Sequence, residues 1–158
     1  MSSAFGQRRG VDGTIVVGVS GSPASIGALR WAARLGGPVL AVLVFRPVTI
    51  AAGPAPAVTM ASGEYAGLLA DIVRAEGLTS VVRAVVAEGA PGEKLVEMTG
   101  QAAMLVLGQP ARHGPGLSSP DSVAAHCARH ASCPVLIVPA ARDLGAIDPR
   151  AMVRIGRG

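Results

Sequence analysis

The sequence predicts an α/β domain with a doubly wound, five-stranded parallel sheet and helices on both faces. Three observations carry this. Short apolar runs alternate with segments of helical spacing in the order β-α-β-loop-α-β-α-β-loop-α-β. The strands are apolar at consecutive positions, which fits burial on both faces of a parallel sheet linked by right-handed crossovers. Half of the 158 residues are apolar and 15% are charged, enough for one core and too little charge for extensive disorder.

Thr14 to Val19, TIVVGV, is a β-branched run and the first strand. Ser22-Pro23 supplies a capping hydroxyl followed by proline at the first helical position. The helix presents Ile26, Leu29 and Ala33, and stops at Gly36-Gly37. Val39 to Phe45 is the second strand, and residues 46–60, rich in Pro, Ala and Gly, read as a loop or lid. Tyr65, Leu68, Leu69, Ile72 and Val73 recur at helical spacing up to Gly77. Val81 to Ala87 is a third strand, less apolar because of Arg83. Pro91 opens a helix carrying Leu95 and Met98 on one face, and Met104 to Leu107 is the fourth strand, ended by Gly108. A long loop leads to a helix over Ser122 to His130, and Cys133 to Val138 is the fifth strand. The organisation is a flexible segment over 1–12, a domain over 13–139 and a tail over 140–158.

The net charge of +4 does not mark a nucleic-acid surface, because it sits largely in the end segments, on Arg8 and Arg9 and on Arg142, Arg150, Arg154 and Arg157. Aromatic residues make up 3% of the chain, too few for base-stacking platforms. No apolar run approaches the ~18 residues needed to cross a bilayer, and MSSAFGQRRG lacks the apolar centre of a signal peptide. Cys127 and Cys133 fit a reduced compartment better than a disulfide framework. The expectation is a cytoplasmic protein that engages neither nucleic acid nor membrane.

In a doubly wound sheet, ligands bind at the carboxyl ends of the strands, where the strand order reverses. Two glycine-bearing loops fall at such ends. The first, GVSGSPAS over Gly18 to Ser25, is neither a G-x-G-x-x-G nor a G-x-x-x-x-G-K-[ST] motif, and strand two ends in Phe45-Arg46-Pro47 without the acid that a dinucleotide ribose requires. As a structural element it is a tight turn with a helix cap. The second runs from Gly108 through Gly114 and Gly116 to Ser122, so a helix N-terminus with unpaired N–H groups faces a loop carrying Arg112 and His113. That arrangement attracts anions, although an ordinary surface loop with a capped helix accounts for it equally well. His126, Cys127, His130 and Cys133 raise the question of zinc. Cys133 opens a strand, however, and a helix-end histidine with small buried thiols is the simpler account. No serine lies in a G-x-S-x-G setting, so a hydrolytic triad is not predicted.

The stretches IVVGVSGSPASIGALRWAARL, EGAPGEKLVEM and SVAAHCARHASCPVLIVP resemble the universal stress protein family across residues 13–139. The family's closing signature is a glycine, two residues, a glycine, nine residues, then Gly-Ser or Gly-Thr. Here the same spacing holds Gly108, Ala111 and Asp121-Ser122. The resemblance implies an adenine-nucleotide α-hydrolase-like fold, a stress-response binding module without enzymatic turnover, and a homodimer formed through the final strand near Val135 to Val138. It also implies a nucleotide site, for ATP with Mg²⁺, built from Val19, Ser20, Gly21, Ser22, Val44, Gly89, Gly108, Ala111, Gly114, Asp121, Ser122 and Val123, with Val44 against adenine. No catalytic or metal-ligating residue is expected. The chain departs from the family pattern at three of these positions. Ser20 stands where ATP-binding members carry Asp, and Ala111 and Asp121 stand at signature glycines. A carboxylate about 4 Å from a phosphate, at an effective dielectric of about 20, costs on the order of 4 kcal/mol. A Mg²⁺ bridge would reverse that sign, and an acid beside a helix N-terminus is stabilising in its own right. The expectation is therefore a divergent member with weak or absent nucleotide binding. The alternative is an ATP- or ADP-binding member with slow ATPase activity.

Overall fold

A computed structural model describes residues 13–47, 60–109 and 122–139. The elements are β1 (Ile15–Gly18), α1 (Pro23–Arg34), β2 (Val39–Phe45), α2 (Ser62–Ala75), β3 (Val82–Glu88), α3 (Pro91–Met98) with a 3₁₀ turn over Thr99–Gln101, β4 (Met104–Gln109), α4 (Val123–His130) and β5 (Val135–Pro139). All five strands are parallel, in the order β3-β2-β1-β4-β5. This is the predicted doubly wound sheet, and its order reverses between β1 and β4.

Alternation along the strands divides the core into two layers. Ile15, Val17, Val39, Ala41, Leu43 and Val106 join Ala28, Leu29, Ala32, Leu69 and Val73 on the face covered by α1 and α2. Val16, Leu40, Val42, Leu105 and Leu107 join Leu95 and Cys127 on the face covered by α3 and α4. Val16, Val17, Leu105 and Val106 are almost fully buried, as central strands of a parallel sheet must be. Phe45 stacks on Tyr65 with ring centres 4.4 Å apart, anchoring α2 against the end of β2. Across the top of that layer Arg30 makes a two-point pair with Glu76, Nε to Oε2 at 2.5 Å and Nη2 to Oε1 at 3.0 Å.

The differences from the sequence reading lie at element ends. β1 is shorter than Thr14 to Val19, because Val19 leaves the ladder once its N–H has reached Val42 C=O at 2.8 Å. β3 runs from Val82 to Glu88. It is an edge strand, which explains how Arg83 is accommodated, exposed, in a β run. β4 continues through Gly108, paired with Val138, to Gln109, so Gly108 lies inside the strand and does not end it. β5 starts at Val135, because Cys133 and Pro134 belong to the approach. That approach is held from the end of α3, in the same layer. The buried Thr99 hydroxyl donates to Val96 C=O at 2.6 Å and accepts from Ser132 N–H at 3.0 Å. The segments 1–12 and 140–158, and all of the expected 46–60 lid except Arg46, Pro47 and Met60, lie outside the described residues.

Candidate functional site

The strand-order reversal brings the carboxyl ends of β1 and β4 side by side. Ile15, Val16 and Val17 pair with Met104, Leu105 and Val106, so the loop leaving β1 and the loop leaving β4 depart from neighbouring strands. Gly108 sets how closely they approach. A Cβ there would collide with the carbonyl carbon and oxygen of Ala24 and lie 2.6 Å from Ser25 N, all backbone atoms of the first turn of α1. Gly108 has no positive φ. The residue is glycine because the N-terminus of α1 rests directly on β4.

That N-terminus is closed by serines. Ser22 caps α1, its hydroxyl accepting from Ser25 N–H at 3.2 Å, with Pro23 at the first helical position. Ser20 donates its hydroxyl to Ser22 Oγ at 3.0 Å, and Ser22 N–H donates back to Ser20 Oγ at 3.4 Å. The buried Ser25 hydroxyl donates to Ser22 C=O at 2.9 Å and accepts from Ser20 N–H at 3.2 Å. Gly21, at φ +87°, makes the turn that permits this network. Sequence reasoning missed Ser25. The available signal was a third hydroxyl three residues after the cap, where a serine has little reason to enter a helix unless it bonds to the backbone.

The remaining predicted residues fall in distinct settings. Val19 is buried in the α1/α2 layer with its N–H spent on Val42, so its side chain is not exposed to a ligand. Val44 is half-buried near the end of β2 and packs toward the α3/α4 layer. Gly89 has φ +144° and donates its N–H to Phe45 C=O at 2.9 Å, tying the ends of β2 and β3 together. The chain's one lysine, Lys94, lies over it: a Cβ on Gly89 would sit 2.8 Å from Lys94 Cε. Lys94 Nζ meets Glu97 at 3.3 Å. Ser122 caps α4 by accepting from Ala125 N–H at 3.1 Å, and Val123 behind it is exposed. Ala111, Gly114 and Asp121 lie outside the described residues, as do Arg112, His113 and Gly116. The described residues thus bring Ser20, Gly21, Ser22 and Gly108 together, with Val44 and Gly89 toward the β2/β3 side of the same end. A separate cleft of about 390 Å³, bordered by Thr14, Pro38, Thr79, Ser80 and Arg83, lies at the opposite, amino ends of the strands.

Cys127, on α4, is fully buried against the sheet. Burial pushes its thiol up to about 11, with the neighbouring Cys133 adding to the effect. Burial also raises Cys133. Both thiols therefore stay protonated at neutral pH, where the thiol is a poorer nucleophile than the thiolate. Among the described residues no three His, Cys, Asp or Glu side chains converge as a metal cluster would require, and no helix is long and apolar enough to cross a membrane.

A parallel sheet in this order, with a serine-capped helix seated on a glycine at the switch point, defines a small doubly wound α/β domain with a loop cluster at the carboxyl ends of its central strands. The sequence profile of the universal stress protein family matches residues 13–139, and the chain belongs to that family. Solved structures agree. A universal stress protein in complex with cAMP is 25% identical, with a TM-score of 0.58, over 83% of this chain and 99% of that one. A universal stress protein from Archaeoglobus fulgidus is 23% identical, with a TM-score of 0.54, over 81% and 94% of the two chains. An Arabidopsis thaliana family member with AMP bound is 19% identical, with a TM-score of 0.52, over 87% and 97%. A search of curated proteins finds no match.

Proposed function

We propose that this domain is a non-enzymatic stress-response binding module whose carboxyl-end site takes adenine nucleotides weakly or not at all, and that it acts through protein contacts. The similar structures carrying cAMP and AMP support an adenine nucleotide as the ligand class. The observation that carries the divergence is at Ser20. The first loop offers no carboxylate to the ribose or adenine end of a nucleotide, and the Ser20 hydroxyl is already engaged with Ser22. Asp121 at a signature glycine works in the same direction at the phosphate end. Where ATP does bind, Mg²⁺ accompanies it, since the divalent ion offsets phosphate charge near that carboxylate. The alternative reading, an ATP-binding member with slow turnover, draws on the intact parts of the site: the Gly108 seat and the Ser122 cap.

The reading extends to assembly and location. β5 is an edge strand with half-buried Val135, Leu136 and Ile137, which pairing with a second copy would cover, giving a homodimer. A cytoplasmic setting fits the two free cysteines.

Calorimetric titration of the purified chain with ATP and Mg²⁺, AMP and cAMP tests the proposal. The expected dissociation constants are above about 100 μM, with Ser20→Asp and Asp121→Gly each raising ATP affinity at least tenfold, a gain of about 1.4 kcal/mol. Micromolar ATP binding by the wild type, weakened by Asp121→Gly, would establish Asp121 as a metal-linked ligand and overturn the reading. Phosphate release from ATP above background would favour the alternative.

A further inference from the structure

We propose that His126 and His130 on α4 form a two-histidine chelate for a borderline divalent transition metal of tetragonal preference, Ni²⁺ or Cu²⁺. The residues are four apart on one helix, so both rings rise from the same face. Their centres lie 4.7 Å apart with the planes tilted by 44°. Metal–imidazole bonds of about 2.0–2.1 Å place each ring centre about 3.2 Å from the ion, so a right-angled pair has centres about 4.5 Å apart and a tetrahedral pair about 5.2 Å apart. The observed spacing lies nearer the right-angled arrangement that square-planar and octahedral ions adopt.

A second feature holds one ring in place. Gly92, in the first turn of α3, leaves room for the His126 imidazole: a Cβ at that position would lie 2.8 Å from Cδ2 and 3.0 Å from Cγ of the ring. Glycine inside a helix is unfavourable by about 1 kcal/mol relative to alanine, and here it admits the imidazole. His126 is thus half-buried and pre-positioned, while His130 is exposed and adjusts to the ion. Two imidazoles are neutral ligands, and water completes the coordination shell. Such a site is labile. It differs from the four-ligand zinc set considered from the sequence, because neither cysteine takes part.

The test is calorimetric titration of the full chain, free of any affinity tag, with NiCl₂ and in parallel with ZnCl₂, together with the electron paramagnetic resonance spectrum of the Cu²⁺-loaded protein. The expected result is one Ni²⁺ per chain bound more tightly than Zn²⁺, and a Cu²⁺ spectrum with coupling to two nitrogens. His126→Gln and His130→Gln should each weaken Ni²⁺ binding at least tenfold without changing the circular dichroism, since His130 is exposed and glutamine at 126 is no bulkier than the half-buried imidazole it replaces. Gly92→Ala, which presses on the His126 ring, should weaken it at least threefold. Wild-type Ni²⁺ affinity in either histidine variant, or a single coupled nitrogen, would overturn the chelate. Unchanged affinity in Gly92→Ala would overturn the pre-positioning.

Discussion

Gly108→Ala is expected to destabilise the domain by about 2 kcal/mol or more. Gly108 has no positive φ, so alanine meets no backbone strain of its own and gains about 0.4–1 kcal/mol from the less flexible unfolded chain. What opposes it is contact. The added methyl would overlap the Ala24 carbonyl and stand 2.6 Å from Ser25 N, where ordinary contacts begin at 3.4 Å. Overpacking of this kind costs about 1–3 kcal/mol, and the upper end applies because the obstructing atoms are the backbone of a capped helix and cannot rotate away. The net loss lowers the urea midpoint by about 1 M at an m-value typical of a small domain. Gly67→Ala is the matched control. Gly67 is exposed within α2, no atom lies within 4 Å of its added methyl, and alanine there should raise stability by about 0.5–1 kcal/mol. The same chemical change thus has opposite signs at two positions. A Gly108→Ala midpoint equal to that of the wild type would refute the claim that α1 rests on β4 at this residue.

Other expectations follow from single contacts. Cys127 in the folded chain holds its proton to about pH 11, whereas the unfolded thiol loses it near 9. The stability this contributes is complete below pH 9 and is lost between 9 and 11, by at most about 2.7 kcal/mol; Cys127→Val should flatten that part of a pH–stability curve measured by urea unfolding. Thiol titration with an aromatic disulfide reagent should label the partly exposed Cys133 faster than Cys127. Arg30→Ala should cost no more than about 1 kcal/mol despite its two-point contact with Glu76, because Arg30 is 43% exposed; a thermal melt of the variant checks this. Ser122→Ala removes the α4 cap and should cost about 1 kcal/mol in the same assay.

The sheet was legible because each central strand is a continuous Val, Leu and Ile run, and such a run has few alternatives to a strand covered on both faces. Ser22-Pro23 and Ser122 marked two helix starts correctly, since capping depends on local chemistry alone. Strand ends were less legible. The extension of β4 through Gly108 and Gln109 depends on pairing with β5, thirty residues further along, and no local signal carries that. The site was only partly legible for the same reason. The sequence places glycines at two loops, but Gly21 serves a positive φ, Gly89 a positive φ beneath Lys94, Gly92 a histidine ring and Gly108 a helix backbone. Three different causes produce one letter, and only the backbone angles and the neighbours in space distinguish them.

Thr99 has a consequence for the counting of the last strand. Its hydroxyl ties the end of α3 to Ser132, three residues before β5 begins, and it does so outside the ladder. A parallel edge strand that slips by one residue turns every side chain to the wrong face, and β5 has a partner on one side only. The Thr99–Ser132 bond is a fixed origin from which β5 is measured out, independent of its pairing with β4. Thr99→Val keeps the shape and deletes the mark. The expected sign of its loss is heterogeneity: several closely related resonances for Leu136 and Ile137 in a folded protein whose melting temperature has barely moved.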